Sequence, residues 1–348
     1  MLRRLNALLL FILLLIALLA PYLIWQSRHN QPLRVLIVDK TVPDEHYREH
    51  RGLIWLLNYY KLYEVRPLEA AFDYVGYRPG GLLNPIADGR RYQLIYLADT
   101  AGVYEADGKL RYGGMEMLEW EALRGRLEPS ATLIAEFNSF APPTGRAVRF
   151  QMSEFLGLSW SGWLGCYYQN LAKVPLNLQN NYRKYEDKIW DFKGAGMVLN
   201  HEDGQILVLE LGKDLRAKGL ETRFSSANQE RYGFKNTIIY SGCFDIVAAG
   251  TGTTTEAFYQ FSLSERAEAV LSGLGIPKRF PAVIRYQGQG YQSYYFAGNY
   301  AYSPRFLPSY QLSGISSLYQ VLPWASDQVD SFFWKFYLPL MRKILSEM

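Results

Sequence analysis

Acidic residues stand at the ends of three short apolar runs: Asp39 after Leu33–Val38, Asp99 after the run ending at Leu97, and Glu136 after Leu133–Ala135, with Asn138 two residues beyond. Such runs are expected to be buried strands. In an open parallel sheet the ligand crevice lies beyond the carboxyl ends of the strands. With neighbouring strands about 4.8 Å apart, the three carboxylates are expected to share one rim, with His46, Arg48, His50 and Arg51 from the loop 40–51 above them. Converging acids can exchange protons with a glycosidic oxygen or hold a divalent ion, and Asp99 with Glu136 is the catalytic pair if the domain is an enzyme. The structural alternatives are a strand-end Asp that caps the next turn and a Glu136 paired with Arg146 or Arg149. His46 and His50 have a metal-ligand spacing only if their loop is helical. No metal and no cofactor is expected.

A second candidate surface is the segment GLSWSGWLGCYY, residues 157–168, in which Trp160, Trp163, Tyr167 and Tyr168 crowd around three glycines. Flat aromatic faces beside small residues can stack on sugar rings, although aromatics in such a stretch also serve a core. The same two readings apply to YYFAGN at 294–299. Several motifs are missing. No GxGxxG follows the first strand, and there is no GxxxxGK[ST] or GxSxG, so dinucleotide, nucleoside triphosphate and serine-hydrolase chemistry lose their usual supports.

The elements that must position these residues read as alternating strands and helices. A helix is expected over Gly52–Lys61, a second strand over Tyr63–Pro67, a helix over Met115–Arg126 and a short one over Phe150–Leu156. Beyond residue 157 helical periodicity fades, and further strands are expected at Gly196–Asn200, Ile206–Leu211, Thr237–Tyr240, Phe244–Ala248, Phe280–Arg285 and Tyr294–Ala297. Ser262-Leu-Ser-Glu265 can open a helix as a capping box. The tail Val329–Leu345 reads as a helix kinked at Pro339. The 348 residues, 49% hydrophobic and 20% charged, suit one large folded domain rather than a disordered chain. A formal charge of +4 with no basic run argues against a nucleic-acid partner. Cys166 and Cys243 share no CxxC or metal-ligand spacing, and two buried free thiols are the expected state.

Residues Ala7–Trp25 carry no charge and follow Arg3 and Arg4. As a helix they approach the roughly 30 Å of a bilayer core, and the positive-inside bias then puts the amino terminus in the cytoplasm and the rest outside. The expectation is an uncleaved anchor over residues 1–28, with the bilayer as a partner through residues 7–25, a single-pass location in the cytoplasmic membrane, and one extracytoplasmic α/β domain over 29–348. Within that domain, residues 33–160 would form a doubly wound core and 161–348 a strand-rich extension.

The order of a strand ending in VDKT, a helix YREHRGLIWLLNYY, a strand ending in LADT and a strand ending in EFN resembles the flavodoxin-like and class I glutamine amidotransferase-like folds. The Trp/Gly segment, FPAVI at 280–284 and YYFAGNYA at 294–301 resemble a group of uncharacterised bacterial membrane-anchored proteins. The amidotransferase resemblance implies a mostly parallel sheet and a nucleophilic cysteine after the third strand. Here that turn reads Ala98-Asp99-Thr100-Ala101-Gly102, so a Cys-His-Glu mechanism is not expected. The function expected from these readings is binding or handling of a cell-envelope glycan. The alternatives are a glycosidase with paired carboxylates and a non-catalytic partner of a membrane protein in an envelope complex.

Overall fold

The structure is a computed structural model describing residues 2–85, 89–104, 109–233, 235–303, 307–321 and 331–348. The side chains at 2–5, 7–12, 14 and 18 also lie outside the described residues.

The chain begins with helix α1 (Leu2–Ser27). The expected transmembrane helix is corrected here: among the described residues, no helix is long and apolar enough to cross a membrane. Trp25, at the end of the uncharged stretch, is 3% exposed. Its Nε1 donates to the Tyr59 carbonyl at 3.1 Å, its ring meets Tyr310, and Lys61 Nζ sits 4.4 Å from its ring centroid. Lys61 also donates to the carbonyls of Gln26 and Arg28, which supplies partners and positive charge where helix carbonyls run out.

After β1 (Val35–Asp39) comes α2 (Arg48–Tyr59), then β2 (Val75–Tyr77), β3 (Leu83–Asn84), β4 (Tyr92–Asp99) and a small hairpin of β5 (Val103–Tyr104) and β6 (Leu110–Tyr112). Next follow α3 (Met117–Arg124), β7 (Leu127–Glu136), α4 (Arg146–Leu156) and β8 (Leu158–Tyr168). The expected strand at Tyr63–Pro67 is absent; that stretch is irregular, and β2 starts eight residues after Pro67. Helix α2 starts four residues earlier than the periodicity indicates, which brings Arg48, Glu49, His50 and Arg51 onto a helix.

The rest of the chain is α5 (Leu176–Glu186), β9 (Gly196–His201), β10 (Ile206–Glu210), β11 (Leu220–Phe224), α6 (Gln229–Tyr232), β12 (Ile238–Tyr240), β13 (Cys243–Ala249), β14 (Thr253–Gln260) and α7 (Glu265–Gly273). It ends with β15 (Arg279–Gly288), β16 (Tyr291–Phe296), α8 (Ile315–Val321), a π-helical turn at Phe333–Tyr337 and α9 (Leu338–Ser346). The cap of α7 is Ser264, whose hydroxyl accepts from the Ala267 amide, two residues beyond the box expected from Ser262. Within the expected tail helix, residues 329 and 330 lie outside the described residues.

Ten strands form one sheet in the order β12-β11-β14-β15-β16-β7-β4-β1-β2-β3. This corrects the expected flavodoxin-like or amidotransferase-like, mostly parallel sheet. Pairing is parallel only from β16 through β7, β4 and β1 to β2, and every other neighbour pair is antiparallel. The cause lies in the connections. A short turn joins β15 to β16, and a tight turn can join only antiparallel neighbours, whereas parallel strands need a long crossover. Of the strands after residue 160, β11, β12, β14, β15 and β16 extend the first sheet. A second sheet, β10-β9-β8-β13, packs on it through Phe244, which meets Tyr259, Phe261 and Phe280.

Much of the aromatic excess fills this core. Tyr240, Tyr300, Phe332 and Phe336 stack between the antiparallel half of the sheet and the C-terminal helix, and each is nearly or fully buried.

Cys166 and Cys243 are directly paired residues of β8 and β13 and are joined by a disulfide. This corrects the expected free thiols: a register that places two cysteines opposite each other brings them within bridging distance.

Candidate active site at the carboxyl rim

Register sets the site. Asp39 and Asp99 are partnered at the ends of β1 and β4, after a bulge that skips Ala98. Asp39 is fully buried. Its Oδ1 accepts from the Thr41 amide at 2.9 Å, and its Oδ2 lies 2.5 Å from His50 Nδ1. His50 Nε2 is 2.9 Å from the Ala70 carbonyl, which can only accept, so that nitrogen carries a hydrogen.

The Asp99 carboxyl is held on both oxygens. Oδ1 accepts from Thr41 Oγ1 at 2.6 Å and from the Ala101 amide at 2.8 Å. Oδ2 accepts from Asn138 Nδ2 at 3.0 Å. Burial nevertheless pushes this acid up to about 6, helped by the nearby charge of Asp39 and opposed by the three donors. Thr41 is the hinge of the group, because its hydroxyl also accepts from the Gly102 amide at 2.9 Å.

Asn138 follows β7 with φ at +69°, a left-handed conformation that Asn tolerates better than most residues. That turn lets its side chain reach Asp99 while its backbone amide donates to Asp245 Oδ2 at 3.3 Å. Asp245, fully buried on β13, also accepts from Tyr295 OH and from Trp160 Nε1 at 3.1 Å. Burial raises its carboxyl to about 7. Trp160 is partly exposed, with the Arg149 guanidinium 5.1 Å from its ring centroid.

On α2, Glu49 is partly buried, and its Oε2 is enclosed without a hydrogen-bond partner. Burial, and then the charges of Asp39 and Asp99, push it up to about 8. A polar atom enclosed without a partner is costly. Here it is aimed among acids, where a neutral carboxyl is the favoured form.

Glu136 lies apart from this rim. It is fully buried, accepts from Tyr96 OH and the Ala301 amide, and faces the C-terminal helix through Tyr96 and Tyr337. Burial raises it well above the carboxylate range. The suggested partner Arg149 pairs with Glu202 instead. His46 is exposed on the loop. Arg48 pairs with Asp44, and Arg51 donates to the Ser303 carbonyl.

The structure brings Asp39, Asp99, His50, Asn138 and Trp160 into one connected group. Trp163 is buried against His201. Tyr168 packs with a small separate cluster under β9 and β10, about 26 Å along β8 from Trp160 at roughly 3.3 Å per residue, and Tyr167 adjoins it. Thr41, Glu49 and Asp245 were not singled out from the sequence, whereas Tyr295 belongs to the YYFAGN segment that was. An acid inside the apolar run CFDIV was the available signal for Asp245. Among the described residues, no set of three His, Cys, Asp or Glu side chains is arranged to hold a metal ion.

Comparison with known proteins gives neither a matching family model nor a matching curated protein. Solved structures align at low identity. The carbohydrate deacetylase Agd3 matches with 12% identity and a TM-score of 0.39, over 77% of this chain and 30% of that protein. The β-galactosidase from Rahnella sp. R3 matches with 11% identity and a TM-score of 0.36, over 90% and 31%. The exo-β-1,4-mannosidase Op5Man5 from Opitutaceae bacterium strain TAV5 matches with 12% identity and a TM-score of 0.31, over 88% and 35%. These three neighbours are carbohydrate-active enzymes, and this chain spans about a third of the length of each.

Proposed function

We propose that the rim of Asp99, Asn138, Asp245 and Trp160 binds a carbohydrate outside the cytoplasm, a cell-envelope glycan being the natural ligand. The observation that carries this reading is the single asparagine that ties two carboxyls together beside a partly exposed tryptophan. Fixed acids and an amide match the hydroxyls of a sugar, and an indole offers a flat apolar face to its ring. The disulfide supports the location, because such bonds persist in oxidising compartments. The test is retention of the full chain on insoluble envelope polysaccharide. Trp160→Ala and Asp99→Asn should each reduce retention at least about fivefold. Retention equal to that of the unaltered protein in both would remove the reading.

A hydrolytic reading rests on a different observation: Glu49 Oε2 is enclosed without a partner beside the rim, and its carboxyl is pushed up to about 8, further than Asp99 at about 6. General acid catalysis requires the carboxyl that keeps its proton to the higher pH, and nucleophilic or base catalysis the one that loses it first. The enclosed Glu136 would have no part in it. On this reading Glu49→Gln abolishes glycoside cleavage while polysaccharide retention persists, and absence of cleavage by the unaltered protein across aryl glycosides of both anomers eliminates it.

A further inference from the structure

A cleft of about 1000 Å3 lies between the C-terminal helix, α6 and the edge strand β12, and shares no residue with the rim. Its wall is cationic for a reason visible in the helix period. Lys335, Arg342 and Lys343 stand seven and eight residues apart, so they share one face, while Phe336, Tyr337, Leu340, Met341 and Ile344 are buried on the other. Lys335 belongs to the π-helical turn, a feature that recurs at functional sites because it re-aims side chains.

Arg231 and Lys343 are already neutralised: Arg231 pairs with Glu256 and Glu347, and Lys343 with Glu347 at 3.2 Å. Among the described residues, Lys335 and Arg342 have no carboxylate partner, and Glu230, exposed at the edge, is the acid on the lining. The remaining polar lining includes hydroxyls, Ser317, Ser331 and Thr237 among them, together with the phenol of Tyr60. Burial pushes that phenol up to about 12 against the opposing charge of Arg342, so it remains a hydrogen donor.

A guanidinium fork, an ammonium and a phenol offer donors suited to an anion with several oxygens. The volume exceeds what a bare ion needs and is at the upper end of the range for small-molecule sites. We propose that this cleft binds a phosphate ester on a polyhydroxylated body, of the sugar phosphate class, with Lys335 and Arg342 holding the phosphoryl group and the hydroxyl-lined wall the body.

Calorimetric titration of the full chain with glucose 1-phosphate, glucose and inorganic phosphate, in about 150 mM NaCl to screen loose association, tests this. Glucose 1-phosphate should bind at least about tenfold more tightly than inorganic phosphate, and glucose not measurably. Lys335→Gln and Arg342→Gln should each weaken it by about tenfold or more. The exposed Arg266→Gln on α7, which does not line the cleft, should leave it within about twofold and reports that the fold is intact. Asp99→Asn at the rim should also leave it unchanged, so the two sites fail independently. Absence of binding by the unaltered chain overturns the proposal. So does equal affinity for inorganic phosphate, unchanged binding in both glutamine variants, or loss of binding in Asp99→Asn.

Discussion

Asn138 Nδ2 lies 3.0 Å from Asp99 Oδ2, and the contact exists because Asn138 occupies the left-handed region at φ +69°. Two independent terms meet in one residue, a hydrogen bond to a buried acid and a strained backbone.

Substitution separates them. Asn138→Gly should relieve the backbone and lose only the side-chain bond, costing about 1 kcal/mol, whereas Asn138→Ala should lose the bond and add left-handed strain, costing about 2 to 3 kcal/mol. Denaturant unfolding of both variants measures the difference. Equal destabilisation would mean that the backbone strain is absent.

The raised acids predict the pH dependence of stability. Asp99, Asp245 and Glu49 stand at about 6, 7 and 8, above their unfolded values near 4, so the native state binds more protons than the unfolded chain between those limits. As far as these groups are concerned, stability is therefore fullest at and below about pH 4 and falls as pH rises through the folded values towards 8. Asp245→Asn removes one such group and should flatten the slope, with a gain on the order of 1 to 3 kcal/mol at pH 8 relative to pH 5. Thermal melts across that range read it. A slope unchanged by the substitution would contradict the burial of that charge.

Asp39 is positioned by a glycine. A Cβ on Gly76, whose φ is +140°, would stand 1.8 Å from the Asp39 carbonyl oxygen, so Gly76→Ala must push β2 away from β1. A loss above about 3 kcal/mol is expected. Gly273→Ala on α7, where an added Cβ meets nothing within 4 Å, should be neutral or stabilising by up to about 1 kcal/mol. Melting temperatures of the two variants compare them directly.

The Cys166–Cys243 bridge spans 77 residues of sequence. Its removal by Cys166→Ser with Cys243→Ser should cost about 2 to 5 kcal/mol. Added dithiothreitol should lower the melting temperature of the unaltered protein and leave that of the double variant unmoved.

The sequence marks local structure well in places and long-range register poorly. Leu94–Leu97 and Leu133–Ala135 lie within β4 and β7 because uninterrupted apolar runs have few other fates. Which acid faces which neighbour is another matter. Glu136 ends its strand as Asp99 does, yet the pleat sends it towards Tyr96 and Tyr337, and no local pattern reports that. Asp245 enters the rim from β13, more than a hundred residues after Asn138, through pairing between two sheets. The disulfide was hidden for the same reason, since it depends on Cys166 and Cys243 falling opposite each other. Tyr63–Pro67 has strand-like residues, but Lys61 turns with φ +55° to cap α1, and the chain leaves the sheet there.

Strand β16 is parallel to β7 on one side and antiparallel to β15 on the other, which makes the seam between the two halves a late product of synthesis. A nascent chain can assemble β1, β2, β4 and β7 well before residues 291–296 leave the ribosome, and until then β7 offers an open edge to any extended segment nearby. Domain-scale order must await the synthesis of β16, a timing that favours slow maturation and assistance by chaperones.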